Sequence, residues 1–271
     1  MSELFDPSLE HALKVERVGD HLFEKNFPDG WQQGRGAFGG IVLGSMCRAM
    51  EATETDLSRV LRSFTGEIFA PVLPGQASIA IEVLRVGAGV STYRSTLIQS
   101  GAPVAVGVGV FGKNRNDSGA WNDLSKPSFT PHWSELPPLP IEPPIGPHFA
   151  RAFDFRSTGP LPFSGAKEQI ANGWVRPKAP TAKLGASELI VMADTFWPSG
   201  FSTMDAPRPM ATLTFTFQHF PSATVLDPSE PLFYCAKTVA GHGGYVSEMR
   251  ELWTARGELL ALNPQTFVHI K

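Results

Sequence analysis

GRGAFGG occupies residues 34–40, directly ahead of IVLGSMCRAMEATE at residues 41–54. Its first six residues, Gly34-Arg35-Gly36-Ala37-Phe38-Gly39, match G-x-G-x-x-G. In a dinucleotide-binding fold that pattern follows a buried strand, opens a helix inside a βαβ unit, and lets the backbone pass close to a pyrophosphate. Here the preceding residues, NFPDGWQQ (26–33), read as turn, and the strand patterns after the helix have no helices between them. Acidic residues at the expected distance exist (Glu54 and Asp56), but such residues are too common to decide the matter. The context predicts a tight turn leading into a helix N-terminus. Free amide hydrogens and the positive end of the helix dipole at such an end can polarise a carbonyl or hold an anion.

Outward from this stretch, Ile41, Leu43, Met46 and Met50, with Val42, Cys47 and Ala49, cover most of a helix surface, which predicts a helix buried on several sides. Strand patterns follow at 62–69, 77–86, 91–99 and 103–111, punctuated by PVLPG (71–75) and GAG (87–89). Ile79, Ile81 and Val83 are expected to point inward, and Val104, Val106, Val108 and Val110 alternate with Ala105, Gly107 and Gly109. The expected unit is one helix with a four-stranded antiparallel meander. Eight prolines then fall between 127 and 147. Proline lacks the amide hydrogen a sheet ladder needs, so 113–147 reads as a connector pinned across the surface rather than a polyproline ligand. Beyond it come strand patterns at 149–156 and 172–176, and a helix at 184–196 stopped by Trp197-Pro198. Further strands are expected at 210–220, 231–239, 245–254 and 258–269. Helix and four strands recur, and 99–111 lies over 254–267 with Gly101 on Gly257 and Phe111 on Phe267. The chain reads as an internal duplication: repeats at 1–112 and 148–271, joined by 113–147.

Composition narrows the function. The 271 residues are 42% hydrophobic and 18% charged, a folded composition. A net charge of −3 from 23 basic and 26 acidic side chains gives no case for nucleic acid or an anionic membrane. The two cysteines, Cys47 and Cys235, fit a reducing compartment and form no metal cluster, so no metal is expected. MSELFDPSLEHALKVERVGDHLF carries early acidic residues and no apolar run, unlike a signal peptide. No segment reaches the ~20 apolar residues of a membrane span. A cytoplasmic protein is expected.

Nucleophile and metal motifs such as G-x-S-x-G and H-E-x-x-H are absent, and the histidines stand singly; His219 alternates with Phe217 as a pairing side chain. Asp194 ends an apolar helical run, Leu189 to Ala193; a carboxylate there is either exposed at the helix end or buried and paired. Gln265 follows Pro264 in the last strand, which implies an edge or a bulge, and it matches Gly109 in the first repeat. Aligning Pro71 with Pro221 places Thr212 over Arg62. Thr212, Thr214 and Thr216 alternate with Leu213, Phe215 and Phe217 on one strand face, and spacing does not choose among them.

Several pieces resemble the acyl-CoA thioesterase II-like double hot-dog family: FGGIVLG (38–44), LRSF (61–64) leading to Pro71, RVGAGVSTYR (85–94), and QSGAP (99–103) before Phe111. In the second half they are Ala193-Asp194 before a proline, Ala211-Thr212-Leu213, and the run from Gly257 to Gln265. The resemblance implies an α+β double hot-dog, each repeat an antiparallel sheet wrapped around a central helix. It also implies hydrolysis of an acyl-CoA to a free acid and CoA in lipid metabolism, without a cofactor. Asp194, Thr212 and Gln265 would orient the water, with Phe38, Gly39 and Gly40 at the substrate cleft. A homodimer is expected from hot-dog sheet edges. Pro264 and Trp197 depart from the family pattern and are expected to reshape the pocket or shorten its acyl tunnel. The competing readings are a non-catalytic acyl-CoA or acyl-lipid binder and an enoyl-CoA hydratase.

Overall fold

The computed structural model describes residues 5–115, 122–222 and 224–270; residues 1–4 and Lys271 of the expected repeats lie outside this range. The chain opens with helix α1 (Leu9–Leu13), strands β1 (Glu16–Arg17) and β2 (Leu22–Phe27), and a small hairpin of β3 (Gln32–Gln33) and β4 (Gly36–Ala37). Helix α2 (Gly39–Thr53) leads to β5 (Val60–Ile68), β6 (Gly75–Val86), β7 (Val90–Gln99) and β8 (Ala102–Gly112). The second half holds β9 (Phe153–Ser157), β10 (Ile170–Pro177), helix α3 (Ala186–Ala193), β11 (Met210–His219), β12 (Leu232–His242), β13 (Tyr245–Thr254) and β14 (Leu259–His269).

Twelve strands form one antiparallel sheet in the order β1-β2-β6-β7-β8-β5-β11-β14-β13-β12-β10-β9. The two halves of that order match about the central β5–β11 pair, where Thr65 faces Thr216. Each half wraps its helix, giving the α+β double hot-dog. Neither half is a simple meander: β6-β7-β8 and β12-β13-β14 run in sequence, but β5 and β11 pair with β8 and β14. That crossing places the strand that follows each helix at the centre, where the two join the halves.

Strand β2 was not expected. Its pattern buries Phe23, Lys25 and Phe27 against the core, and the inward lysine breaks the alternation that would announce a strand. GRGAFGG therefore does follow a strand and itself supplies the turn and second strand of the β3–β4 hairpin, but β2 pairs antiparallel with β6 and there is no βαβ unit among the described residues. Three other expectations shift. Val83, expected to point inward, is exposed, just ahead of a register slip of β6 against β7 between Val83 and Arg85. The stretch expected as strand 149–156 begins as a 3-10 turn, His148–Ala152, before β9. Helix α3 stops at Ala193, with Asp194 as its C-cap, short of the expected 196.

The two helices touch through glycines. A Cβ on Gly40 would come within 3.1 Å of the Val191 Cα, and one on Gly44 within 2.9 Å of the Ser187 carbonyl oxygen. These contacts set α2 and α3 antiparallel, so the N-terminus of α2 meets the C-terminus of α3. The proline-rich connector seals the other side of the second half. Phe129, Trp133 and Leu136 pack on Trp174, Phe233 and Trp253, the Trp174 indole donates to the Pro131 carbonyl at 3.1 Å, and Trp133 lies between the guanidinium groups of Arg156 and Arg176. No helix among the described residues is long and apolar enough to cross a membrane.

Candidate active site

Asp194 meets two elements at once. As the α3 C-cap it lies against the first turn of α2, where a Cβ on Gly39 would come within 2.9 Å of its Oδ2. Glycine is required there because any side chain would displace the carboxylate. Phe38 caps α2 through its carbonyl, which accepts from the amides of Ile41 and Val42. Among the described residues the amides of Gly39 and Gly40 have no acceptor. The ring of Phe38 is core, fully buried and stacked on Phe149 at 3.7 Å. Of the three residues expected at a cleft, Gly39 adjoins Asp194, Gly40 packs against α3, and Phe38 anchors the turn.

Threonine selection comes from backbone geometry. Strand β11 slips register against β14 between Thr212 and Thr214, so the three threonines do not share one face. Thr214 and Thr216 face outward, Thr216 opposite Thr65, whereas Thr212 turns inward and its hydroxyl donates to the Gln265 Oε1 at 3.4 Å. A β-bulge reverses the alternation that a regular strand would keep. Pro264 does not mark an edge: β14 pairs on both sides, and the bulge belongs to β11. The Asn263 side chain donates to the Thr216 carbonyl at 2.6 Å, next to a proline that has no amide hydrogen to give.

Gln265, buried, donates through Nε2 to the Asp194 Oδ1 at 3.1 Å and to the Asn263 Oδ1 at 2.7 Å. The structure thus brings Asp194, Thr212 and Gln265 into one hydrogen-bonded chain. Arg250, not anticipated from sequence, donates to the same Oδ1 at 3.1 Å and to Glu248 at 2.6 Å. Burial pushes the Asp194 carboxyl above the ordinary aspartate value, opposed by Arg250 and the Gln265 hydrogen bond. Its Oδ2, on the α2 side, accepts no hydrogen bond among the described residues. Tyr234 is fully buried with its hydroxyl unpaired, and Arg250 lies over its ring at 5.9 Å.

Register aligns the halves residue by residue. Leu61 pairs with Phe111 as Thr212 pairs with Phe267, so Thr212 corresponds to Leu61 and the bulge residue Arg62 to Leu213, one position from the alignment on prolines. Gly109 faces Phe64 as Gln265 faces Phe215. Tyr93 and Ser95 pair with Gly109 and Gly107 as Glu248 and Arg250 pair with Gln265 and Asn263. Arg250 and Glu248 escaped the sequence reading because β13 is polar on both faces, and only pairing shows which face turns inward; Asn263, on β14, was missed as well.

The family comparison decides the lineage. Residues 27–112 match the acyl-CoA thioesterase N-terminal domain, and residues 123–268 match the acyl-CoA thioesterase C-terminal domain. The chain belongs to the acyl-CoA thioesterase family. A search of curated proteins found no match. Among solved structures, this thioesterase-family chain is similar to a hot-dog protein of unknown function from Alicyclobacillus acidocaldarius, at 21% identity and a TM-score of 0.86, covering 97% of both chains. It is also similar to the acyl-CoA thioesterase II TesB2 of Mycobacterium marinum, at 18% identity and a TM-score of 0.76, covering 97% of this chain and 98% of that one. The tesB protein of Mycobacterium avium subs paratuberculosis shares 18% identity with a TM-score of 0.77, covering 97% and 100%. At these identities the structural likeness speaks for the double hot-dog fold.

Proposed function

We propose that this protein hydrolyses the thioester of an acyl-CoA to a carboxylic acid and CoA, with Asp194, Thr212 and Gln265 handling the water. The observation that carries this reading is the position of Asp194, whose free Oδ2 lies against Gly39 in the first turn of α2, the turn whose Gly39 and Gly40 amides have no acceptor among the described residues. A thioester carbonyl placed on the Gly39 and Gly40 amides would be polarised by two aligned donors and the helix dipole. Water between that carbonyl and Asp194 Oδ2 would attack carbon while the carboxylate takes its proton. The tetrahedral intermediate collapses by breaking the C–S bond, and the proton leaves with the CoA thiolate as a free thiol. Atoms balance without a covalent enzyme intermediate, in keeping with the missing nucleophile motif. Gln265 fixes the other carboxylate oxygen, and Thr212 fixes Gln265. The protein is expected to act as a cytoplasmic homodimer.

The test is free-thiol release over acyl-CoAs of graded chain length. Release by the wild type is expected, with the acid limb of kcat/KM above the ordinary aspartate range because Asp194 must be ionised to act. Binding of acyl-CoAs without release from any of them would leave a binding protein, and loss of enoyl-CoA absorbance would indicate a hydratase.

A further inference from the structure

The strand facing the site holds the Asp194 turn at both ends. Glu248 and Arg250 are two residues apart on β13, hence on one face, and both are 2% exposed. Arg250 reaches the start of the turn, donating to the Ala193 carbonyl at 3.3 Å and to Asp194 at 3.1 Å. Glu248 reaches its end, accepting from the Ser199 backbone amide at 2.5 Å and the Ser199 hydroxyl at 2.6 Å. The two are tied to each other at 2.6 Å. Between them the backbone is irregular: α3 ends at Ala193 with Asp194 as its C-cap, and the run to the 3-10 turn Ser199–Thr203 has no regular structure, the Ser199 hydroxyl also pairing with the Thr238 hydroxyl at 2.9 Å.

We propose that Glu248 and Arg250 are positioning residues for thioester hydrolysis, a two-point clamp that fixes the orientation and charge of Asp194. The proposal rests on the thioesterase reading above. Burial and the carbonyl end of α3 both disfavour a carboxylate at Asp194. The groups facing it are Gly39 from α2, Thr212 from β11, Tyr234 from β12, Glu248 and Arg250 from β13, and Gln265 backed by Asn263 from β14. Arg250 supplies the positive charge in that set. Glu248 aims the guanidinium and, through Ser199, keeps the turn from lifting away. A buried ion pair is poor evidence for stability by itself, and specifying one arrangement is its better-attested use. In the first half, Tyr93 and Ser95 stand at the corresponding positions; there the Tyr93 hydroxyl donates to Glu54, the C-cap of α2, at 3.1 Å, and the two positions hold no ion pair like Glu248–Arg250.

The experiment combines pH profiles of thiol release with carbon-13 NMR titration of the aspartate carboxyls, the Asp194 signal being assigned by its loss in Asp194→Asn. Arg250→Gln is expected to move the Asp194 titration and the acid limb of kcat together to higher pH, by about 1 unit or more. Glu248→Gln is expected to move both to lower pH while kcat falls by up to about 100-fold, the order expected for a reacting group displaced by about 1 Å. Arg250→Lys keeps the charge but cannot span both carboxylates, so its acid limb stays near wild type while kcat drops. KM should change little in all three. A purely structural role would not send the two neutralising variants in opposite directions. An unmoved Asp194 titration and unmoved kcat in folded Arg250→Gln overturn the clamp. If that variant does not fold, a Glu248→Gln protein with the wild-type limb and kcat does the same. A wild type that releases no thiol sinks the thioesterase reading instead, and the NMR arms still judge the clamp.

Discussion

The two halves share a strand order and differ in what they bury at the same places. On the inner face the first half has Ile79, Tyr93, Ser95, Gly107 and Gly109; the second has Tyr234, Glu248, Arg250, Asn263 and Gln265 at the register-matched positions, with Thr212 for Leu61. The helices differ in the same sense. Gly40 and Gly44 on α2 contact Val191 and Ser187 on α3, and this reciprocal relation sets Cys47 where α3 has Asp194. The first half is sealed: the Met50 sulfur occupies the space over Gly109, where a Cβ would come within 2.5 Å of it. The lesson is that duplication supplied two matched frames with different polar networks: the first half ties Ser91, Tyr93 and Arg59 to Glu54 at the C-terminal end of α2, whereas the second gathers Arg250, Glu248 and Gln265 at Asp194, against the start of α2. Such a network is tolerated because its groups are largely paired, whereas half-paired buried polar groups are worse than an apolar core.

The sharpest way to break this comparison is Asp194→Asn. It should lower kcat/KM by about 10²- to 10⁴-fold, the range for a positioned general base, while circular dichroism stays native. Full thiol release by this variant would mean that the half carrying Asp194 is not the working half.

Next in size is a polar residue on the sealed side. Lys25 is buried where the second half has Val175, its ammonium donates to the Ala12 carbonyl at 2.6 Å, and burial lowers its pKa from 10.5 to about 7. Between those values the unfolded chain holds a proton that the folded chain has lost, so this residue makes stability rise with pH. Relative to Lys25→Met, the wild type should gain on the order of 4 kcal/mol in unfolding free energy from pH 7 to 10. Urea melts of both proteins at pH 6, 8 and 10 measure the gap. A gap independent of pH would show that Lys25 keeps an ordinary pKa.

Gly44→Val puts on α2 the residue that α3 carries at the matching place, Val191. Only one side of the contact can be large, because the added Cβ meets the Ser187 carbonyl. A loss of about 1–3 kcal/mol, read by thermal unfolding, is expected from overpacking. An unchanged melting temperature would mean that the helices can separate freely.

The smallest effects come from paired substitutions at matched positions. Gln265→Ala should lower kcat/KM by about 10- to 100-fold through loosening of Asp194. Gly109→Ala, which meets the flexible end of Met50, should leave kcat unchanged and reduce stability by about 1 kcal/mol. Equal losses of activity from both would erase the distinction between the halves.

By itself the sequence showed a helix and four strands recurring, because helical and strand periodicities and the Gly101 and Gly257 turns are local properties; the double hot-dog was read from the resemblance, and the crossing of β5 and β11 to the centre was not legible. It also pointed to Asp194 and Gln265, since a carboxylate closing an apolar helix and an amide replacing a glycine stand out without coordinates. GRGAFGG was legible as a helix entry, but the work of its last two glycines was not: Gly39 makes room for a carboxylate about 155 residues away, and Gly40 lets a second helix approach. Spacing left three threonines open and the resemblance named Thr212; only the tertiary structure gives the physical reason, one slipped residue in β11 that turns Thr212 inward and leaves Thr214 and Thr216 outward. Only pairing with β14 showed that Glu248 and Arg250 face the site, since a strand polar on both sides does not announce its buried face. Local pattern fixes what a segment becomes; register and helix approach decide which side chains share a buried space, and that is where the chemistry resides.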